Sequence, residues 1–346
     1  MSIRLKQVRH ILRKYGIGEV VKRAVRATVR DRANVPFKER VWLHKHGFKP
    51  ISYILYDFSS KTTRERLEYL PDSALSKMSA INLGPSTFLT SKLVFYRIAQ
   101  MAGLRCPELV ATVVRGRMVE ARAPYSWIGL GELAQRGEDL YVKPLTGGRG
   151  VGVRRVKAHQ LPSLEFDPSQ RYLIVKTLKQ AAYASKIFEP ASNTVRAVAL
   201  RKPESRQAFL ASAVQRFGSA KTAPLDSFFK GGVSCEIDLN TGIMGRGIRH
   251  PSVTGRQLVK YTHHPDSGAL MEGVHLPDWT GAVKLVHDLM DLFPEIEFAA
   301  WDLLATDNGW AAIEGNSTFG IDLLQVHRGL LSDPRVRDFG CYHGLI

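Results

Sequence analysis

Residues 298–320 read FAAWDLLATDNGWAAIEGNSTFG. Two apolar runs, 298–304 and 310–313, flank the turn signal Thr306-Asp307-Asn308-Gly309. Apolar runs on either side of a short Asp/Asn/Gly turn predict a β-hairpin. Asp302 lies inside the first run, while Glu314 and Asn316 close the second. Strand side chains alternate with period two, so Glu314 and Asn316 share a face. Three oxygen donors are thereby expected at one end of a two-stranded ribbon. Hard cations such as Mg²⁺ take oxygen ligands and commonly complete their shell with phosphate.

A second stretch suits that phosphate. Residues 141–153 read YVKPLTGGRGVGV. A β-prone piece delivers Lys143 into a glycine-rich turn, and a second β-prone piece, 151–156, leaves it. Glycines let backbone N–H groups approach an anion closely. Lys143 and Arg149 add positive charge for phosphate oxygens. The stretch is not a Walker loop, because no Gly-Lys-Ser/Thr follows. It is not a dinucleotide fingerprint, because no helical pattern follows the glycines. By itself it reads equally well as a glycine-rich hairpin with no ligand.

Taken in order, the elements have a family pattern. A strand lysine and glycine loop come first, then the apolar segment Tyr172-Leu173-Ile174-Val175-Lys176-Thr177-Leu178, then Asp302 and Glu314-x-Asn316. This order resembles the ATP-grasp superfamily of ATP-dependent carboxylate ligases. Asn193-Thr194-Val195-Arg196, Phe229-Lys230-Gly231-Gly232 and His264-Pro265-Asp266-Ser267-Gly268 resemble its sugar-transfer-associated group, close to the α-L-glutamate ligases. The resemblance covers roughly residues 80–330. It implies an α+β fold whose two lobes close on a nucleotide, here with a basic helical extension at the N-terminus. The expected divisions are 1–50 (extension), 51–135 (linking subdomain), 136–180 (small lobe with the glycine lid) and 181–346 (large lobe with the metal site).

The same resemblance implies roles. Lys143, and earlier Lys92, reach the phosphates of ATP; Gly147, Gly148, Arg149, Gly150 and Gly152 form the lid over them. Val175, Lys176 and Thr177 match the linker whose backbone holds the adenine edge. Relatives often carry an acidic residue or glutamine where this chain has Lys176. Gln180 is expected at the ribose. Arg196 binds the transferred phosphoryl group or a substrate carboxylate, a task suited to a bidentate guanidinium. Asp302, Glu314 and Asn316 hold one or two Mg²⁺ ions. Lys230 and its glycines shape an acceptor pocket. His264 reads as a turn or surface residue rather than a base, and Asp322 as a helix cap. The implied reaction is amide formation through an acyl phosphate. A kinase on the same scaffold and a non-catalytic nucleotide-binding module are the other readings.

Composition agrees with a soluble enzyme. The chain has 346 residues, 44% hydrophobic, enough for a substantial core. No apolar run reaches membrane-spanning length, and no secretory signal is expected. Three scattered cysteines, Cys106, Cys235 and Cys341, suggest neither a disulfide framework nor a zinc site, and suit a reducing cytoplasm. The net charge is +17, and residues 1–50 hold 14 Lys and Arg against 3 Asp and Glu. Helical spacing there (Val8, Ile11, Leu12, Tyr15, then Val21, Ala24, Val25, Val29) gives a basic amphipathic pattern. Such a segment packs on the body by its apolar face, meets an anionic membrane or acidic glycan, or binds a nucleic acid. No RNA-reading motif accompanies it.

Elsewhere the patterns predict a β-prone piece at 52–58, short helices at 64–70 and 73–78, and helices at 91–101 and 279–292. Strands are expected at 109–114, 173–178 and 195–200, with 207–214 pairing to one of them.

Overall fold

The computed structural model describes residues 35–82, 86–145, 151–317 and 320–346. The amphipathic pattern of residues 1–34, and lid residues Gly147, Gly148, Arg149 and Gly150, lie outside the described residues.

Two antiparallel sheets organise what is described. The first contains β1 (Leu109–Val114), β2 (Arg117–Glu120), β3 (Trp127–Ile128), β4 (Leu140–Pro144), β5 (Arg154–Val156) and β6 (Tyr172–Lys176), in the order β3-β2-β1-β6-β4-β5. The second contains β7 (Val195–Arg201), β8 (Ala208–Phe217), β9 (Val233–Ile237), β10 (Met244–Arg249), β11 (Lys260–Tyr261), β12 (Phe298–Thr306) and β13 (Gly309–Asn316), in the order β11-β10-β9-β8-β7-β12-β13. The expected division at 135/136 falls inside the first sheet, which runs from 109 to 176. Pairing of β1 with β6 draws residues from both sides of that division into one layer.

The alternation of β7 and β12 builds two cores. Ala197, Ala199, Trp301 and Leu303 face the helix Trp279–Leu292 through Leu285, Leu289 and Trp279. Val198, Leu200, Phe298 and Ala300 point the other way, onto residues 35–82 and the C-terminal helix Pro334–Tyr342. Covering both faces is why β7 is buried along its whole length. The hairpin at 298–316 forms as its alternation predicts, with Thr306 paired to Gly309 across a two-residue turn. Thr306 Oγ1 secures that turn by donating to the Gly309 carbonyl at 2.6 Å.

Residues 52–58 do not form a strand. They make a helical turn, Ser52–Leu55, followed by a 3-10 turn, Phe58–Ser60. Tyr56, Phe58 and Tyr69 pack ring to ring there, with centroids 4.8–5.6 Å apart. A β-prone composition describes a fit to a half-buried surface rather than a backbone preference, and this aromatic cluster offers a better fit. Residues 35–82 thus belong to the outer layer of the second sheet. No helix among the described residues is long and apolar enough to cross a membrane.

Candidate active site

A cleft of about 1050 Å³ lies between the two sheets. Its floor on the second sheet is a row set by strand register. Arg196 on β7 stands directly opposite Asp302 on β12, and Asp302 stands directly opposite Glu314 on β13. Asn316 is two residues beyond Glu314, opposite Ala300, on the same face. Gly315, between them, points to the other face. A Cβ on Gly315 would come within 2.6 Å of both Leu89 and the Trp301 ring, so this strand end requires glycine.

Arg196 grips Asp302 through two bonds, Nε to Oδ1 at 2.5 Å and Nη2 to Oδ2 at 3.1 Å. Arg216, two residues past Val214 on β8, reaches the same carboxylate with Nη2 at 3.0 Å from Oδ2. Its Nε lies 3.3 Å from Asp226 as an ion pair, off the line of a hydrogen bond. Asp226 accepts from the Thr194 amide at 2.9 Å and hydroxyl at 2.6 Å. Burial by itself would raise the Asp302 carboxyl; Arg196 and Arg216 outweigh it and hold the group below the usual carboxylate range. For Arg216, burial is likewise overcome by Asp226 and Asp302, which keep the guanidinium firmly charged.

The first sheet supplies the opposite wall. Along β4, Leu140 and Val142 enter that sheet's own core, while Tyr141 and Lys143 turn toward the cleft. Lys143 is 8% exposed, and its Nζ donates to the Tyr96 hydroxyl at 2.8 Å. Tyr96 in turn donates to the Ile313 carbonyl at 2.8 Å. Burial pushes the Lys143 ammonium down, opposed chiefly by Glu314. Lys92 opens the helix Lys92–Met101, which Ser91 caps by accepting from the Val94 amide. The Lys92 Nζ lies 3.8 Å from Glu314. Gly152 adopts φ +76°, and a Cβ on it would meet Pro144 at 2.8 Å, so the described end of the glycine stretch also admits only glycine comfortably.

Other expected residues are placed differently. Val175 and Lys176 line the cleft, as does Leu178. The amides of Lys176 and Thr177 already donate to the carbonyls of Glu108 and Asp139 at 2.9 and 3.0 Å. Lys176 pairs with Glu138 and Glu108, Glu138 first in raising its ammonium. Gln180 does not line the cleft. Its side-chain oxygen accepts from the Asn193 amide and Nδ2 at 3.0 and 3.1 Å, a structural clamp rather than a ribose contact. His264 is not a surface residue: it is 1% exposed, stacks on Phe188 and donates from Nε2 to the Gly218 carbonyl. Asp322 does not cap a helix by its side chain; it sits at the first position of Asp322–Gln325 and accepts from Tyr56 at 3.4 Å.

Arg216, Asp226 and Tyr96 join the site without having been singled out in the sequence. Arg216 carried a signal, being a charged residue inside the apolar run of β8.

Asp302, Glu314 and Asn316 form a hard-oxygen set on one face, which fits Mg²⁺ in donor chemistry. Both Asp302 oxygens are engaged by guanidinium groups, so Glu314 and the Asn316 carbonyl are the more available donors. Among the described residues no cluster of three His, Cys, Asp or Glu side chains could hold a metal by itself.

The sugar-transfer associated ATP-grasp family matches residues 156–339, and the chain belongs to that family. Its α+β architecture is the ATP-grasp fold. The D-alanine–D-alanine ligase from Bacillus anthracis is similar at 14% identity and a TM-score of 0.41, over 75% of this chain and 70% of that one. The ATP-grasp ligase PsnB complexed with minimal precursor is similar at 14% identity and a TM-score of 0.38, over 73% and 62%. A RimK domain ATP-grasp protein from Sphaerobacter thermophilus is similar at 13% identity and a TM-score of 0.39, over 73% and 67%. The chain thus spans about three fifths of the length of PsnB. Comparison with curated protein sequences gives no match.

Proposed function

We propose that this protein uses ATP to activate a carboxylate and joins it to an amine. The observation that carries the proposal is the in-register row Arg196–Asp302–Glu314 facing Lys143 and Lys92 across one cleft. Cations on both walls and oxygen donors on one are what a polyphosphate needs when one of its phosphoryl groups is to move. In this reading the substrate carboxylate oxygen forms a bond to the γ-phosphorus as the bond to the β-phosphate oxygen breaks, releasing ADP. The amine nitrogen then bonds the acyl carbon, inorganic phosphate leaves, and the amine gives up a proton.

Lys143 and Lys92 would bind phosphate oxygens. Arg196, held flat by Asp302, would present its remaining N–H groups to the phosphoryl group or the acid. Tyr96 would orient Lys143. Glu314 and Asn316, with Asp302, would hold Mg²⁺, which supplies charge neutralisation to the phosphates. Val175 and Leu178, which line the cleft, would bed the adenine ring. The described wall of the cleft would keep water from the acyl phosphate. The family's association with sugar transfer supports a role in glycan assembly. The basic segment 1–34 supports peripheral contact with an anionic membrane or glycan from the cytoplasmic side.

A hydroxylamine trap tests the reading. Protein, Mg²⁺ and ATP are incubated with a panel of amino acids, uronic acids and acidic sugar derivatives. Hydroxamate matched by ADP is the expected result. ADP with a stable phosphorylated product and no hydroxamate would replace the ligase by a kinase.

A further inference from the structure

Asp226 lines the cleft beside Arg216, yet only one of its carboxylate oxygens is used. Oδ2 accepts from the Thr194 amide at 2.9 Å and hydroxyl at 2.6 Å, and the same oxygen faces Arg216 Nε at 3.3 Å. Oδ1 is left facing the cleft, with no hydrogen-bond or ion-pair partner among the described residues. The residue is 9% exposed. A carboxylate at that depth with one oxygen unpaired is stabilised by a donor that arrives in the cleft.

The segment around Asp226 is held in place. Ser192 N donates to the Pro224 carbonyl at 3.1 Å, and Leu225 N to the Thr222 carbonyl at 2.9 Å. Gly232 packs behind it: a Cβ there would come within 3.0 Å of the Asp226 carbonyl oxygen and 2.8 Å of the Phe217 carbonyl oxygen. Thr194, next to the first residue of β7, ties Oδ2 to the strand that carries Arg196. Arg216 joins Asp226 to Asp302 through one guanidinium, with Nε on the first and Nη2 at 3.0 Å on the second. Asp226 thus stands one guanidinium away from the row proposed to handle the phosphoryl group.

In the proposed reading the attacking amine gives up a proton as the amide forms. No histidine is among the described residues that line the cleft, Asp302 is engaged through both oxygens, and Glu314 belongs to the proposed metal set. Burial, opposed first by Arg216, holds the Asp226 carboxyl above the usual carboxylate range, a shift that favours accepting a proton. We infer that Asp226 is the catalytic base for the amine: Oδ1 accepts a hydrogen bond from a primary aliphatic amine and takes its proton. This rests on the proposed reading of the cleft. The nitrogen forms its bond to the acyl carbon, the bond from that carbon to the phosphate oxygen breaks, and one N–H proton passes to Oδ1. The proton then leaves with the departing phosphate, which restores the carboxylate. Leu225, Phe228 and Phe229, which line the cleft from the same segment, favour the uncharged amine over its ammonium form.

The test sets two nucleophiles against the same acyl phosphate. The full chain, Mg²⁺, ATP and the acid that is positive in the hydroxylamine trap are given either hydroxylamine or one of a panel of primary amines (the common amino acids, D-glucosamine and ethanolamine). Hydroxamate and amide are scored by mass. Hydroxylamine is uncharged at neutral pH and strongly nucleophilic, so it depends little on a protein base. In Asp226→Asn the ratio of amide to hydroxamate is expected to fall about a hundredfold. That ratio is internal to each preparation: a loss of folded protein lowers both products and leaves it unchanged. Should that variant not fold, Asp226→Glu keeps a charge for Arg216 while displacing the oxygen, and the ratio should fall about tenfold. A ratio that stays at the parent's value, or no amide from any panel amine while the parent forms hydroxamate, overturns the inference and leaves the acyl-phosphate step standing. A parent silent in the trap removes the ligase reading and the role of Asp226 with it.

Discussion

Arg196 and Asp302 face each other in register on neighbouring strands and are joined by two hydrogen bonds, with the side chains about nine-tenths buried. Asp302 is thus the counter-ion of Arg196 and Arg216 as well as a prospective metal ligand. Removing one member of a buried ion network leaves the others uncompensated. Asp302→Asn is expected to cost about 3 kcal/mol of stability and to abolish Mg²⁺-dependent turnover. Glu314→Gln is the contrasting variant. Its nearest cation, Lys92, is 3.8 Å away and its side chain is 29% exposed, so stability should change by less than about 1 kcal/mol. Turnover should still fall by about a hundredfold. Denaturant unfolding and ATP turnover on both variants check this; equal stability of Asp302→Asn and the parent would remove the counter-ion role.

Tyr96 links the two walls through its hydroxyl, accepting from Lys143 and donating to the Ile313 carbonyl beside Glu314. Tyr96→Phe deletes that oxygen and keeps the ring over which the Lys143 ammonium lies at 5.4 Å. A buried hydrogen-bond loss of this kind costs about 1–2 kcal/mol. With Lys143 no longer oriented, affinity for ATP should fall about threefold to tenfold. Nucleotide titration decides the matter: reduced stability with unchanged ATP affinity would make Tyr96 structural only.

The hairpin at 298–316 was legible because alternation and turn chemistry are local, and the sharing of a face by Glu314 and Asn316 follows from period two. The Arg196–Asp302 bond was not legible, since it joins residues 106 apart and depends on the register of β7 against β12. No local pattern sets that register; the cores on both faces of the sheet do. Residues 52–58 were misread for a different reason: the rings of Tyr56 and Phe58 pack with those of Phe48 and Tyr69 in one aromatic cluster, a fit that composition does not distinguish from a half-buried strand. His264 looked like a turn residue and occupies a turn, but its burial comes from Phe188 and Phe217.

Gln180 separates fold from site. Its amide clamps Asn193, whose Nδ2 also donates to the Ala184 and Phe188 carbonyls and whose Oδ1 accepts from Gly218. Gln180→Ala should therefore destabilise the protein by about 1–2 kcal/mol while leaving ATP affinity unchanged at a temperature where the variant is folded. A selective loss of ATP affinity with no loss of stability would restore the ribose contact.

Asp322 gives a pH signature away from the cleft. Burial first, then the nearby Asp72 carboxylate, push its carboxyl from 3.8 up to about 6, with Lys49 and Tyr56 opposing. In the unfolded chain the group returns to its ordinary value, so between pH 4 and 6, roughly, the folded protein binds a proton that the unfolded chain releases. The stabilising contribution is full below the unfolded value and is lost as pH rises through about 6. Asp322→Asn cannot ionise and keeps an acceptor for Tyr56. It should match the parent near pH 4 and exceed it by about 2–3 kcal/mol above pH 7. Urea unfolding of both proteins across that range is the measurement. A stability difference that does not vary with pH would show that Asp322 titrates normally and that its burial among Tyr56, Asp72 and Lys49 has no electrostatic cost.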